Sequence, residues 1–93
     1  MNQVDKRNRS RLKIVSDILN VAGEGSRKTH IMWRANLTHQ RLDYYLDLLL
    51  GYGLIAKTED TDTRGAFLFQ TTDKGREFLS RYSQLREILS QMS

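Results

Sequence analysis

The chain has 93 residues, of which 39% are hydrophobic and 28% charged, with a net charge of +4 and with neither cysteine nor proline. This length and balance are typical of a single globular domain. The composition excludes a disulfide framework and a thiolate metal site, and no apolar run is long enough for a transmembrane helix. The N-terminus lacks the apolar region of a signal peptide, so we expect a cytoplasmic protein outside the membrane.

The excess positive charge is concentrated at the N-terminus. Residues 1–13 contain five basic side chains against Asp5 alone, so they carry the whole net charge, and residues 14–93 are neutral overall. We expect residues 1–8 to form a basic arm, which is either a solvated tail or a contact for nucleic-acid phosphates. Four basic residues of the arm and of the helix that follows are candidate DNA contacts: Lys6, Arg7, Arg9 and Arg11.

The first helix is predicted over residues 9–22, with Ser10 or Asn8 as its N-cap. Its apolar residues recur at three- and four-residue spacing, which predicts that one face is buried. The residues on this face are Leu12, Val15, Ile18 and Leu19. Glycines at positions 23 and 25 end the helix.

A short helix at 30–35, capped by Thr29, precedes a longer helix at 38–50, for which Thr38 is a suitable N-cap. Glycines at 51 and 53 end the second of these helices. Its apolar face is formed by Leu42, Tyr45, Leu46, Leu49 and Leu50. Two helices joined by a turn of three or four residues form a helix-turn-helix. A purely structural helix with a solvated face is the alternative, but the basic domain favours a helix that reads DNA.

A β-hairpin is predicted next, with strands at 54–59 and 66–71 around a polar turn at 60–65. Its size is that of a wing, and residues 26–28 are compatible with a further brief strand. The turn region is acidic, which opposes close approach to phosphates. Arg64 is therefore the one candidate in the turn for a minor-groove contact.

The last helix, within residues 73–93, has apolar residues in a 4-3-4-3 pattern that resembles heptad spacing. A domain of this length has little surface on which to bury such a helix, so we expect its distal half to pack against a second copy of the chain. The alternative is a helix folded back on its own core. The predicted dimer-interface residues are Phe78, Tyr82, Leu85, Ile88, Leu89 and Met92.

The order of elements and several short motifs resemble a family of small archaeal winged helix-turn-helix DNA-binding proteins. The motifs are KTHI at 28–31, ANL at 35–37, YLDLL at 45–49, GLI at 53–55 and TDKG at 72–75. The resemblance covers roughly residues 8 to 92 and implies a mainly helical α+β fold. It implies a winged helix-turn-helix domain at 9–72 and a C-terminal dimerisation helix at 73–93, which pairs in an antiparallel coiled coil in that family. The final helix is short for the family.

The resemblance places the DNA-reading residues at the start of the helix at 38–50. The residues implied there are Thr38, His39, Gln40, Arg41 and Tyr44. Arginine pairs with guanine and glutamine with adenine in the major groove. Around the preceding helix, Arg27, Lys28 and Arg34 are suited to phosphate contacts.

We therefore expect a homodimer that binds double-stranded DNA as a transcriptional regulator or as a nucleoid-associated protein that organises the chromosome. An enzyme is not expected, because His30 and His39 lie on different helices without an obvious carboxylate partner, and neither a catalytic nor a metal site is predicted. No cofactor or small-molecule ligand is identifiable from the sequence. The alternative function is a winged-helix module that docks onto proteins without binding DNA.

Overall fold

The computed structural model describes residues 9–92, which form four helices and a two-stranded sheet. The helices are α1 (Arg11–Ala22), α2 (Lys28–Arg34), α3 (His39–Gly51) and α4 (Asp73–Met92), and the strands are β1 (Ile55–Glu59) and β2 (Phe67–Thr71). This is the predicted winged helix, mainly helical, with a long C-terminal helix. None of the described helices is both long enough and apolar enough to cross a membrane.

The core lies between α1, α2, α3 and the sheet. The largest fully buried apolar side chains come from the three helices: Ile14, Ile18, Leu19, Ile31, Leu42 and Leu49. Leu12 is an exception to the predicted face of α1, because its side chain is 47% exposed. It lies two residues before the buried Ile14 and lines a shallow groove with Phe78, Tyr82 and other residues of α4.

The helix-turn-helix is formed by α2, a short turn and α3. The predicted Thr29 cap is wrong: α2 begins at Lys28, and its N-cap, Arg27, makes no side-chain capping bond. The predicted Thr38 cap is confirmed, since its hydroxyl accepts a hydrogen bond from the Arg41 amide at 3.2 Å. Between the helices, Asn36 adopts a φ of 56°, which an asparagine tolerates better than most residues.

The wing is an antiparallel hairpin in which Ile55 pairs with Thr71 and Glu59 with Phe67. The segment at 26–28 contributes a single bridge, between Ser26 and Phe69. Alternation along β2 turns Phe69 into the core. Thr71, two residues further along the same face of β2, is also buried. Its hydroxyl donates a hydrogen bond to the Leu19 carbonyl at 2.7 Å, which joins the sheet to α1.

Helix α4 starts at a side-chain cap: the Thr72 hydroxyl accepts from the Gly75 amide at 3.1 Å. Its first half packs on α1 and β2, with Gly75 buried and Phe78 and Leu79 partly buried against the core. Its second half is more exposed to solvent, since Leu85, Ile88 and Met92 are 46% to 75% exposed. The half-buried ring of Tyr82 stacks on that of Phe78, with ring centroids 6.2 Å apart, and lies between the two halves of α4.

Candidate nucleic-acid interface

The exposed face of α3 carries the predicted reading residues in one row. Its buried side chains, including Leu42 and Leu46, anchor the helix to the core, so the opposite side faces outward. Gln40, Arg41 and Tyr44 are all exposed there, and Tyr44 packs edge-on against Tyr45 with ring centroids 5.1 Å apart. The first turn of α3 therefore presents polar side chains on a rigid support, as major-groove recognition requires.

The start of α1 lies beside this face. Arg9, Arg11, Gln40, Arg41, Tyr44 and Tyr45 line an open groove of about 400 Å³. The fold thus brings the predicted contacts of the N-terminal segment next to those of α3. Lys6 and Arg7, and the rest of the predicted arm at 1–8, lie outside the described residues.

Arg9 has a second role within the fold. Its guanidinium donates to the Asp17 carboxylate at 2.8 Å and to the Asn36 carbonyl at 3.0 Å, and the side chain is 23% exposed. These bonds tie the segment before α1 to the turn of the helix-turn-helix. Sequence reasoning missed this brace, because nothing in the spacing of residues 9 and 36 indicates that they meet. A contact of Arg9 with DNA stays a prediction.

Lys28 and His39 both meet Asp43, a half-exposed carboxylate on α3. Lys28 forms an ion pair with it, and His39 Nδ1 lies 3.4 Å from Asp43 Oδ2. The hydrogen bond from Lys28 and the positive charges nearby hold the pKa of Asp43 below its usual value of 3.8. The interface therefore contains internally paired charges, and only the His39–Asp43 spacing of four residues hinted at them.

The guanidinium of Arg27 binds side chains in the turn of the wing. Its Nε donates to Asp60 Oδ2 at 2.9 Å, and its Nη2 donates to the same oxygen and to Thr63 Oγ1 at 3.0 Å. The Arg27 hydrogen bond, with help from the Asp62 backbone amide, holds the pKa of Asp60 below its usual value of 3.8. The acidic turn is thus partly neutralised by a residue that the sequence assigned to phosphate binding.

Four of the arginines predicted to contact DNA make no side-chain hydrogen bond or ion pair within residues 9–92: Arg11, Arg34, Arg41 and Arg64. Arg41 stands in the first turn of α3 and Arg34 at the end of α2. Arg64 is exposed in the wing turn, next to Gly65 with its φ of 81°. These side chains are available to an external anion. Among residues 9–92 no three His, Cys, Asp or Glu side chains are grouped to hold a metal ion.

A family model described as winged helix-turn-helix matches residues 8–90. The chain belongs to the winged helix-turn-helix family. No curated protein sequence matches this winged-helix chain significantly.

Solved structures share the fold over most of the chain. The DNA-binding protein Sso10a-2 from Sulfolobus solfataricus has a TM-score of 0.80 and 19% identity, covering 90% of this chain and 85% of that one. The regulator BldR from the same organism has a TM-score of 0.74 and 22% identity, covering 98% and 66%. The transcriptional repressor CouR, solved on a 23-mer DNA duplex, has a TM-score of 0.67 and 30% identity, covering 76% of this winged-helix chain and 51% of its own. Sso10a-2 is described as a DNA-binding protein, BldR as a transcriptional regulator and CouR as a transcriptional repressor.

Proposed function

We propose that this winged-helix protein binds double-stranded DNA as a homodimer, with α3 in the major groove. The observation that carries the proposal is the arrangement around Arg41: an unpaired guanidinium in the first turn of α3, with Arg11 and Gln40 along the same open groove. An arginine in this position of a helix-turn-helix reaches base edges. The repressor CouR, a structural neighbour solved on duplex DNA, supports the same partner for this chain.

Each proposed contact has a distinct chemical role. Arg41 pairs with guanine and Gln40 with adenine, while Tyr44 and Thr38 contact phosphate or a thymine methyl group. Lys28 and Arg34 at the two ends of α2 neutralise phosphates, and Lys28 must leave Asp43 to do so. His39, the first residue of α3, would lie within reach of the DNA strand whose phosphates these cations contact.

The dimer is proposed to form through the distal half of α4. Ile88 and Met92 there are 55% and 75% exposed in the single chain, and large exposed apolar patches are typical of protein interfaces. The interface would comprise Leu85, Ile88, Leu89 and Met92 of the distal half, together with Tyr82 and Phe78 at the edge of the half that packs on the core. A two-fold axis would set two copies of α3 against the same face of a duplex, where successive major grooves recur about every 34–36 Å.

The biological role that follows is regulation of transcription or organisation of the chromosome in association with the nucleoid. The two roles differ in base selectivity. A regulator reads a particular site through side chains such as Arg41, whereas an architectural protein binds mainly through phosphates.

A second candidate function is docking onto another protein. It is favoured by exposed aromatic residues away from the groove: Trp33 is 80% exposed and Tyr52 62%. Aromatic side chains are enriched in protein interfaces. A docking module would not need the unpaired arginines around α3.

The experiment is fluorescence anisotropy with labelled duplexes of several sequences, titrated across salt, for the wild type and Arg41→Ala. Wild-type binding should show a steep negative salt slope, and division of that slope by about 0.9 gives the number of phosphate contacts. Loss of affinity for some sequences far more than for others identifies a base-reading regulator, and a uniform loss identifies architectural binding.

The matched control is Lys74→Ala, which also removes one positive charge. Lys74 Nζ donates to the Tyr52 carbonyl at 2.8 Å, so it lies at the end of α3 opposite to Arg41. This variant should bind nearly as the wild type does. If the wild type fails to bind any duplex at low salt, the proposal that the protein binds DNA is wrong, and docking onto another protein is the better-supported function.

A further inference from the structure

The wing is attached to the helix-turn-helix at two levels through adjacent residues. At its base, the Ser26 amide donates to the Phe69 carbonyl at 3.0 Å and the Phe69 amide donates back to the Ser26 carbonyl at 2.8 Å. At its turn, the Arg27 guanidinium binds the Asp60 carboxylate and the Thr63 hydroxyl. Because Arg27 is also the N-cap residue of α2, the wing turn is fixed to the start of that helix.

The Asp60 carboxylate shapes the turn as well as anchoring it. Oδ2 receives the Arg27 bonds, whereas Oδ1 accepts from the Asp62 amide at 3.0 Å. The Asp60 backbone closes the turn, since its amide donates to the Ala66 carbonyl at 2.9 Å and its carbonyl accepts from the Thr63 amide at 3.2 Å. Arg64, the exposed basic side chain of the turn, follows directly after Thr63. Its placement relative to α2 and α3 is therefore set through Asp60.

The charge of the Asp60 carboxylate and its hydrogen bonds predict opposite effects on DNA binding when the carboxylate is removed. A carboxylate near phosphates is repelled by them, so on charge alone its removal should strengthen DNA binding. If the carboxylate instead holds the wing in the orientation that binds DNA, its removal should weaken binding. A pre-ordered loop binds more tightly because less conformational entropy is lost on association.

We propose that Asp60 and Arg27 are positioning residues that hold Arg64 at a fixed place relative to α3, so that an acidic side chain in the wing promotes DNA binding. The inference rests on the proposed function, in which α3 and the wing contact one duplex. Arg27 thereby contributes through Asp60 and the wing, rather than through a phosphate of its own.

The test measures affinity for a fluorescein-labelled duplex of mixed sequence, roughly 30 base pairs long so that it spans two half-sites with flanks. Asp60→Asn should bind about two- to fivefold more weakly than the wild type, the scale of a partly exposed ion pair. Its salt slope should fall by up to about 0.9, because the Arg64 contact is lost.

Asp62→Asn is the matched control. It removes the same charge from the same turn, but the Asp62 side chain makes no hydrogen bond or ion pair within the described residues. It should bind at least as tightly as the wild type. Opposite signs for the two variants separate positioning from charge.

A double-mutant cycle with Arg64→Ala tests whether the effect acts through that residue. Arg64→Ala should weaken binding in the wild type and have a smaller effect in Asp60→Asn, because Arg64 is already misplaced there. Equal effects in both backgrounds contradict the proposal. Arg27→Lys supplies an independent variant, since it retains the charge but cannot make the paired guanidinium contacts, and it should weaken binding as Asp60→Asn does.

The outcomes distinguish the positioning role of Asp60 from the proposed DNA-binding function. Wild-type binding together with an Asp60→Asn variant that binds equally or more tightly overturns the positioning role and leaves the proposed function standing. Absence of wild-type binding overturns both. Thermal unfolding followed by circular dichroism accompanies each variant, and if Asp60→Asn does not fold, the Arg27→Lys result decides.

Discussion

Lys28, the first residue of α2, forms an ion pair with Asp43 on α3, so the two helices of the helix-turn-helix are joined across their exposed side. The same carboxylate lies 3.4 Å from His39 Nδ1. Two residues predicted to contact DNA thus share one negative charge in the free protein. In the proposed complex, DNA would have to compete with Asp43 for Lys28 and His39. This competition would weaken binding to any phosphate backbone and leave base selectivity to Gln40 and Arg41.

Asp43→Asn is expected to strengthen binding to duplexes of mixed sequence by roughly two- to tenfold at low salt, because it removes a negative charge and releases Lys28. The salt slope should become steeper by up to about 0.9 as Lys28 gains a phosphate. Both quantities come from anisotropy titrations across salt.

The control for this change is Asp47→Asn, one turn further along α3. Asp47 is exposed and its side chain makes no hydrogen bond or ion pair within residues 9–92, so its loss removes a charge without releasing a cation. We expect a smaller gain and an unchanged slope. Weaker binding by Asp43→Asn would mean that the carboxylate itself accepts a hydrogen bond from a base.

Acid should weaken the two ion pairs that tie α2 to α3 and to the wing. The pKa values of Asp43 and Asp60 are held below 3.8 by Lys28 and Arg27, respectively. A depressed carboxyl pKa in the folded state contributes stability that is present above the unfolded value and is lost as pH falls through the folded value. The stability that these two carboxylates contribute should therefore be complete above about pH 5. It should decrease as the pH falls below 3.8, the usual pKa of the carboxyl group.

Urea unfolding at a series of pH values, for the wild type and for Asp43→Asn combined with Asp60→Asn, measures this contribution. The difference in unfolding free energy between the two proteins should be largest near neutral pH and shrink on acidification below about pH 4. A difference that does not vary with pH would show that the carboxylates contribute through shape alone.

The local parts of this fold were predictable from sequence. The leucines of α3 recur at helical spacing, the Thr38 hydroxyl caps its own helix, and Gly53 takes a φ of 74° after it, all within a few residues. Thr29 failed as a cap because α2 begins at Lys28, two residues before the predicted start, so that Thr29 lies inside the helix. Such a shift changes no apolar spacing and leaves no trace in the pattern.

The pairing of the candidate site's charges was not predictable. Arg27 and Asp60 are 33 residues apart, and Arg9 and Asn36 are 27 apart. These pairs meet only because β2 lies beside residue 26 and α1 lies beside the helix-turn-helix. The sequence identified which residues are basic and exposed, but their partners depend on tertiary packing.

If the chain forms the proposed dimer, Leu85→Glu combined with Ile88→Glu is expected to convert it into a monomer. These side chains are 46% and 55% exposed on the distal half of α4, and two carboxylates there would be buried without partners in a dimer. DNA binding should weaken as well, because two linked reading helices bind with a raised effective concentration. Light scattering after size-exclusion chromatography gives the mass.

The matched control is Gln84→Glu, which adds a charge at an exposed position on the same helix outside the heptad seam. It should remain a dimer. A Leu85/Ile88 double variant that still has the mass of a dimer would show that α4 is not the interface.

Gly75 and Gly51 are expected to respond in opposite ways to alanine. A Cβ at Gly75, in the first turn of α4, would overlap the Leu54 carbonyl oxygen and lie 2.6 Å from Thr71 Cγ2, so α4 would be forced away from the sheet. We expect a loss of about 1–3 kcal/mol in unfolding free energy, the scale of overpacking. At Gly51 a Cβ would meet nothing within 4 Å, and alanine should be neutral or stabilising by up to about 1 kcal/mol.

Chemical denaturation of the two variants measures these changes with the same substitution in the same chain. Because the close approach at Gly75 fixes the direction of α4 relative to the sheet, Gly75→Ala should also disturb the proposed dimer, whereas Gly51→Ala should not. Wild-type stability for Gly75→Ala would mean that α4 can shift on the sheet without cost, and the direction of α4 would then not be set by this contact.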